Sequence, residues 1–340
     1  MPLTRPHLTV LLNALYNTGT TSIPVEHPSD EVGELFRIEL DDSGETTVQL
    51  TTDLKAYADA RSEVNSTYGE PAISELPDQR SYLSAFIAGG LVEPANRDEL
   101  DDFLASNGGR DLNAGHKPLV AGFDTNLVPW RIADVLGLQS DEQSTVNGFA
   151  LATGVLDELE WGHKRSDTQS LTEAFSADFE ELWNQPAGSS REGRLGENYY
   201  RRLRDSRYAE EVPTDEGDQS IIDGYASFQN EGRKDVMLFS NDRDFIERAH
   251  ANRILAQRVE FPSALPHKVT TSWEAIQDTL YMLTVLFGVL SLPKVTLYGV
   301  WKGKEGMDWH DEALKLDCRS PTMEPLIERD MAIVETHEQL

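Results

Sequence analysis

An α/β fold on a mostly parallel sheet, in three layers, is what the sequence predicts, and three observations carry the prediction. The apolar runs LVAGF and VMLFSN each lead straight into an acid, Asp124 and Asp242. Neither run alternates, as expected of strands buried on both faces. Between and after them lie segments of helical spacing with glycine stops, so strand and helix take turns along the chain.

The elements follow in order. Residues 34–52, ELFRIELDDSGETTVQLTT, read as a β-hairpin about the turn Asp41-Asp42-Ser43-Gly44. RDELDDFLA at 97–105 reads as an amphipathic helix broken by Asn107-Gly108-Gly109, and a loop then leads to Lys117-Pro118. Residues 1–117 are therefore expected to form an N-terminal α+β region. From Leu119 come the first buried strand, helical spacing in VPWRIADVLGL, and a longer helical pattern in TVNGFALATGVLDELEWG. DQSIIDGYASFQNEG predicts a helix, DVMLFSND a strand, RDFIERAHANRI a helix, and residues 253–261 supply one more strand. The tail adds a helix over 273–291, a strand in KVTLYGVWKG and a short helix near 308–315. The expected division is 1–117, a central domain at 118–262, and a helix-strand-helix extension at 263–340 that packs on the central domain and lengthens its sheet.

Composition narrows the function. In 340 residues, 30 Lys and Arg face 59 Asp and Glu, giving a net charge of −29, which excludes a generic basic nucleic-acid coat. A hydrophobic fraction of 39% is ample for a core, so this is no disordered acidic tail. Cys318 is the one cysteine, which leaves no internal disulfide and no cysteine zinc cluster. The start MPLTRPHLTV lacks the order of a signal peptide, and the run Leu280–Leu292 falls short of the roughly 20 residues that span a bilayer. A soluble, cytoplasmic protein is expected. That apolar run packs internally in this reading, with a homodimer contact as the alternative. The acid is spread through every segment with Lys scarce beside Arg, a surface suited to molar salt, where the Debye length shrinks to about 3 Å and self-repulsion is screened. A halophilic origin is the expectation.

In an open parallel sheet the site lies beyond the carboxyl ends of the strands. Asp124 and Asp242 hold that position, while Glu158 and Asp218 sit in helical patterns. Four carboxylates brought together cannot all stay ionised in low dielectric without a cation, and hard oxygen donors suit Mg²⁺ or Mn²⁺.

The series Gly122-Phe123-Asp124-Thr125-Asn126, Val155-Leu156-Asp157-Glu158-Leu159, Asp218-Gln219-Ser220-Ile221-Ile222 and Ser240-Asn241-Asp242-Arg243-Asp244-Phe245 resembles the PIN domain, with its acids 34, 60 and 24 residues apart. The resemblance covers about residues 118–262 and implies a metal-dependent ribonuclease on a PIN-like sandwich. It implies Asp124 as the metal ligand after the first strand, Glu158 as the helical acid, and Asp218 and Asp242 as the third and fourth. Asn126 would orient Asp124 or a bound water, and Ser240 stands where the family often has Thr or Ser. Asp242 or Asp244 would position the attacking water in a metal-assisted hydrolysis. Asp157, Glu160 and Asp223 are nearby rivals. The chain departs from the family's small standalone toxins by 117 residues before the resemblance and nearly 80 after it.

The most basic stretch, REGRLGENYYRRLRDSRY at 191–208, holds Arg191, Arg194, Arg201, Arg202, Arg204 and Arg207 with Tyr199, Tyr200 and Tyr208. Arginine on phosphate and tyrosine on unpaired bases suit single-stranded RNA. The competing reading is a helix whose arginines pair with acids and whose tyrosines are core. Trp301-Lys302-Gly303-Lys304 is a second, weaker patch. No HExxH, GxxxxGK[ST] or GxGxxG occurs, and His310-Asp311-Glu312 reads as a helix start. A PIN-like protein that binds RNA or a protein without cutting, and a DNA nuclease of related fold, are the alternatives.

Overall fold

The computed structural model describes residues 1–40, 46–138, 145–160, 168–183, 185–232, 234–300 and 314–338. Among them run thirteen strands: β1 Pro2–Leu3, β2 Ser22–Glu26, β3 Glu34–Glu39, β4 Thr46–Gln49, β5 Leu119–Phe123, β6 Gly148–Ala152, β7 Glu210–Val212, β8 Asp235–Ser240, β9 Leu255–Arg258, β10 Lys268–Thr271, β11 Val289–Leu292, β12 Val295–Tyr298 and β13 Leu314–Cys318. The chain divides into two compact units. One comprises Met1–Val92, Lys164–Arg191 and Ala264–Leu340, the other Glu93–His163 and Glu192–Ser263.

The first unit holds an antiparallel sheet in the order β1-β13-β12-β11-β2-β3-β4-β10. The expected hairpin is there, with Ile38 opposite Val48, while its turn at 41–44 lies outside the described residues. The tail does not lengthen the parallel sheet. Its strands complete the antiparallel one instead, β11 against β12 and Ser291 against Glu26 of β2. Nor is 273–291 one helix. The helix Trp273–Phe287 ends at Gly288, whose φ of +81° is a left-handed turn that glycine adopts without strain, and β11 follows. Leu280, Leu283 and Leu286 of that helix are buried within the chain. Residues 301–313, with the Trp301–Lys304 patch and most of the expected helix near 308–315, lie outside the described residues, and Leu314 and Lys315 open β13.

The second unit is the parallel part: a five-stranded sheet in the order β7-β6-β5-β8-β9, every pairing parallel. All five residues of β5 and the last five of β8 are buried, because helices cover both faces. Residues 148–152 form a strand rather than the start of a long helix. Phe149 to Ala152 are at most 6% exposed in the sheet, and the helix Thr153–Glu160 begins only after them. Gly122 is required in β5, since a Cβ there would sit 2.8 Å from Tyr225 and 2.7 Å from Leu238. The room goes to Tyr225, whose hydroxyl donates to Ala150 O at 2.9 Å and accepts from Ala152 N at 3.1 Å. The helix Arg97–Asn107, grouped by sequence with the first 117 residues, contributes Leu100 and Leu104 to this unit's core. No helix among the described residues is long and apolar enough to cross a membrane.

Candidate active site

The strand order reverses between β5 and β8, and a crevice opens outside the carboxyl ends of strands at such a reversal. Asp124 is the first residue past β5 and Asp242 the second past β8. The two strands pair to their ends, Phe123 opposite Phe239, and Asp124 N–H donates to Phe239 O at 3.0 Å.

Asp124 is 2% exposed. Its Oδ2 accepts from the Ser240 hydroxyl at 2.6 Å and from Asn126 Nδ2 at 3.1 Å. Ser240 Oγ in turn accepts the Asp242 N–H at 2.8 Å, so one buried hydroxyl joins the two strand ends. Burial pushes the Asp124 carboxyl up to about 6; the two hydrogen bonds pull it down, and the charges of Asp218 and Glu158 push it further up.

Glu158, on the helix Thr153–Glu160, has both oxygens engaged. Oε2 accepts the Thr125 hydroxyl and Oε1 accepts the Gly217 N–H at 2.8 Å. Asp218 opens the helix Asp218–Glu231 and pairs with Arg248 at 3.3 Å. Burial raises its carboxyl above the usual range, Arg248 opposes that, and Asp242 and Glu158 add to it. Asp242 caps the helix Arg243–Ala251 by accepting the Asp244 N–H at 2.7 Å, and Asp244 is exposed in the first turn. Four carboxylates from four separate segments thus feel one another, Asp124 with Asp218 and Glu158, Asp218 with Asp242 and Glu158. Of the rivals, Asp157 is exposed and Asp223 binds Gln219 on its own helix at 2.9 Å.

The donor set has the chemistry of a hard divalent cation site: hard oxygens, with like charges whose repulsion a cation relieves. Among the described residues, however, no three carboxylate, imidazole or thiolate side chains stand close enough together to enclose a metal ion. An open groove of about 890 Å³ beside the helix Asp218–Glu231 is lined by Thr214, Asp215, Gln219 and Asp223 among others, and by none of the four acids.

The arginine-rich stretch forms the helix Gly188–Ser206. Tyr199 and Tyr200 are 4% and 0% exposed and belong to the core of the parallel unit, which takes both rings away from an incoming base and corrects the stacking expectation. Tyr199 is buried beside Asp134 and Arg131, and Tyr200 beside Tyr225 and Glu211. Arg194 and Arg201 clasp the buried Glu197 at 2.6 and 2.5 Å, and Arg204 pairs with Asp205 at 2.7 Å. Arg202 and Arg207 are half-buried and also engaged. Arg191 is buried in the first unit against Glu75, at 2.7 Å. Tyr208, 86% exposed, stands at the start of the β7 edge, the end of the sheet opposite Asp124.

The sequence did not single out Thr125, Gly217 or Arg248. The first two adjoin candidate acids, and that adjacency is their one signal.

Residues 130–260 match the family model of the PIN domain, so the resemblance read from the sequence holds over that span and gives the parallel unit a nuclease-type fold. Glu158, Asp218, Ser240 and Asp242 fall inside the match, and Asp124 precedes it. No curated protein matches the chain.

Proposed function

We propose that this chain, carrying a PIN domain, is a metal-dependent endoribonuclease that hydrolyses phosphodiester bonds of single-stranded RNA at the carboxyl ends of β5 and β8. The observation that carries the reading is the convergence of Asp124, Glu158, Asp218 and Asp242 there, with Asp124 raised to about 6. Carboxylates that repel one another in a crevice serve function rather than stability.

Asp124, Glu158, Asp218 and Asp242 would supply the oxygens for Mg²⁺ or Mn²⁺ once drawn closer together than they stand here. The ion supplies charge neutralisation on the phosphodiester oxygens and a bound water of lowered pKa. The protein's own groups do the positioning. Ser240 and Asn126 aim the Asp124 carboxylate, and Ser240 also fixes the backbone of Asp242. Asp244, exposed at the rim, or Asp242 accepts the proton of the attacking water. Arg248, half-exposed on the helix Arg243–Ala251, pairs with Asp218. RNA contact by Arg194, Arg201 or Arg204 requires them to exchange carboxylate partners for phosphate.

A second reading has an observation of its own. With both Glu158 oxygens engaged and Asp218 on Arg248, the unit suits a PIN-like protein that binds RNA or a protein without cutting. Cleavage of a labelled single-stranded RNA with Mn²⁺ in concentrated KCl decides between them. Wild type cuts, and Asp124→Asn or EDTA abolishes cutting by at least about a hundredfold. A folded wild type that binds the RNA but leaves it whole establishes the second reading, and a single-stranded DNA of the same sequence separates the nuclease classes.

A further inference from the structure

Arginines paired at the surface change partner far more readily than arginines paired with a buried acid. Arg194 and Arg201 both hold Glu197, whose side chain is 3% exposed, and their departure would strand a buried charge. Arg204 pairs with Asp205 and with Glu211 of β7, the sheet edge two strands from β5 on the side away from β8. Arg248 and Arg258 stand otherwise. Arg248, on the helix that Asp242 caps, reaches Asp218 at 3.3 Å, with side chains 45% and 42% exposed. Arg258 reaches Glu260 at 2.9 Å, with side chains 43% and 46% exposed. Water screens such pairs, so giving them up costs little.

Arg258 is also held in place. It closes β9 opposite Ser240, the last residue of β8, and Val259 N–H donates to Ser240 O at 2.8 Å. On its other side Asn96 Nδ2 donates to Arg258 O at 2.8 Å while Asn96 Oδ1 accepts the Glu260 N–H at 2.9 Å. Arg258 Nε donates to Asn241 O at 3.2 Å, the carbonyl of the peptide that leads into Asp242. The groove beside the helix Asp218–Glu231 offers the contrary, because Asp215, Asp223 and Glu231 line it and no Lys or Arg does. Resting on the RNA reading above, and independent of cutting or of any metal, we infer that the RNA strand leaves the crevice over the ends of β8 and β9, its phosphates held by Arg248 and Arg258. Each guanidinium exchanges an exposed carboxylate for a phosphate, which its planar fork takes through two N–H groups. The helix Gly188–Ser206 and the acidic groove lie off that path.

Binding of a labelled single-stranded oligouridine, followed by fluorescence anisotropy in EDTA across about 0.5 to 2 M KCl, tests the path, since each phosphate contact adds its own share to the salt dependence. Arg248→Gln and Arg258→Gln each weaken binding about three- to tenfold and flatten the plot of log affinity against log salt by about 0.7, the share of one phosphate on a single strand. Arg258→Lys, which keeps the charge, keeps the slope. Arg204→Gln, on the β7 edge, stays within about twofold of wild type at an unchanged slope. All these side chains are at least partly exposed, so the variants fold. Weaker binding at an unchanged slope in Arg258→Gln would mean that Arg258 only braces the Asn241 turn, and it overturns the contact. Unchanged affinity in both Arg248→Gln and Arg258→Gln overturns the path while the RNA reading stands. A wild type that binds no RNA removes that reading and the path with it.

Discussion

Asp124 is the buried one of the four candidate carboxyls. Its folded value of about 6 lies above the ordinary 3.8, so the stability tied to it is fully present below about pH 4 and is lost as pH rises through 6. Asp124→Asn removes that titration. Chemical denaturation should find the variant more stable than wild type at pH 7, by about 1–3 kcal/mol, with the gain gone at pH 3.5. The same proton competes with a cation for the same oxygens, so Mn²⁺ affinity should fall as pH drops below about 6. Titration calorimetry at pH 5 and 7.5 checks it; equal affinities would place the ion away from Asp124.

Among the elements, the helices are fixed by what they touch. Gly154 opens the helix Thr153–Glu160 where a Cβ would meet Asp215 O at 2.1 Å, so Gly154→Ala must push the 213–217 turn outward. A destabilisation of about 1–3 kcal/mol is expected, with faster amide exchange across 213–217. The helix Gly188–Ser206 begins with a fully buried ion pair. Arg191 donates to Glu75 at 2.7 Å, to Pro186 O at 3.0 Å and to Glu75 O at 3.2 Å. Truncating one member leaves the other charge buried alone, so Arg191→Ala should cost about 3–5 kcal/mol in thermal or urea unfolding. Sequence reasoning placed Arg191 with the phosphate-binding arginines because spacing cannot tell a paired guanidinium from a waiting one. The strand β6 was missed for a related reason: GFALATGV is apolar without alternation, and a strand buried on both faces and a buried helix leave the same trace.

At the scale of the whole molecule, charge dominates. A net −29 over 340 residues repels itself across the roughly 10 Å Debye length of 0.1 M salt and far less at 1 M, where the length is about 3 Å. We propose that the surface is adapted to concentrated salt. The melting temperature should climb steadily from 0.1 to 2 M KCl, and a flat or falling curve would reject the adaptation. The two units are also built by different rules. One is an antiparallel sheet assembled from both ends of the chain, with β1 and β2 beside β13 and β11; the other is a parallel sheet from the middle.

The parallel unit could be read from the sequence because its signals are local. A buried strand ending in an acid and a glycine that stops a helix are each written within a few residues, and such signals made Asp124, Glu158, Asp218 and Asp242 the candidates. Only the tertiary structure decided their partners. Ser240 on Asp124, Thr125 and Gly217 on Glu158, and Arg248 on Asp218 come from residues up to 116 positions apart. It also turned Tyr199 and Tyr200 inward and carried β11 to β13 back to the N-terminal sheet. Those outcomes depend on which faces meet, and long-range pairing leaves no periodicity in the chain that forms it.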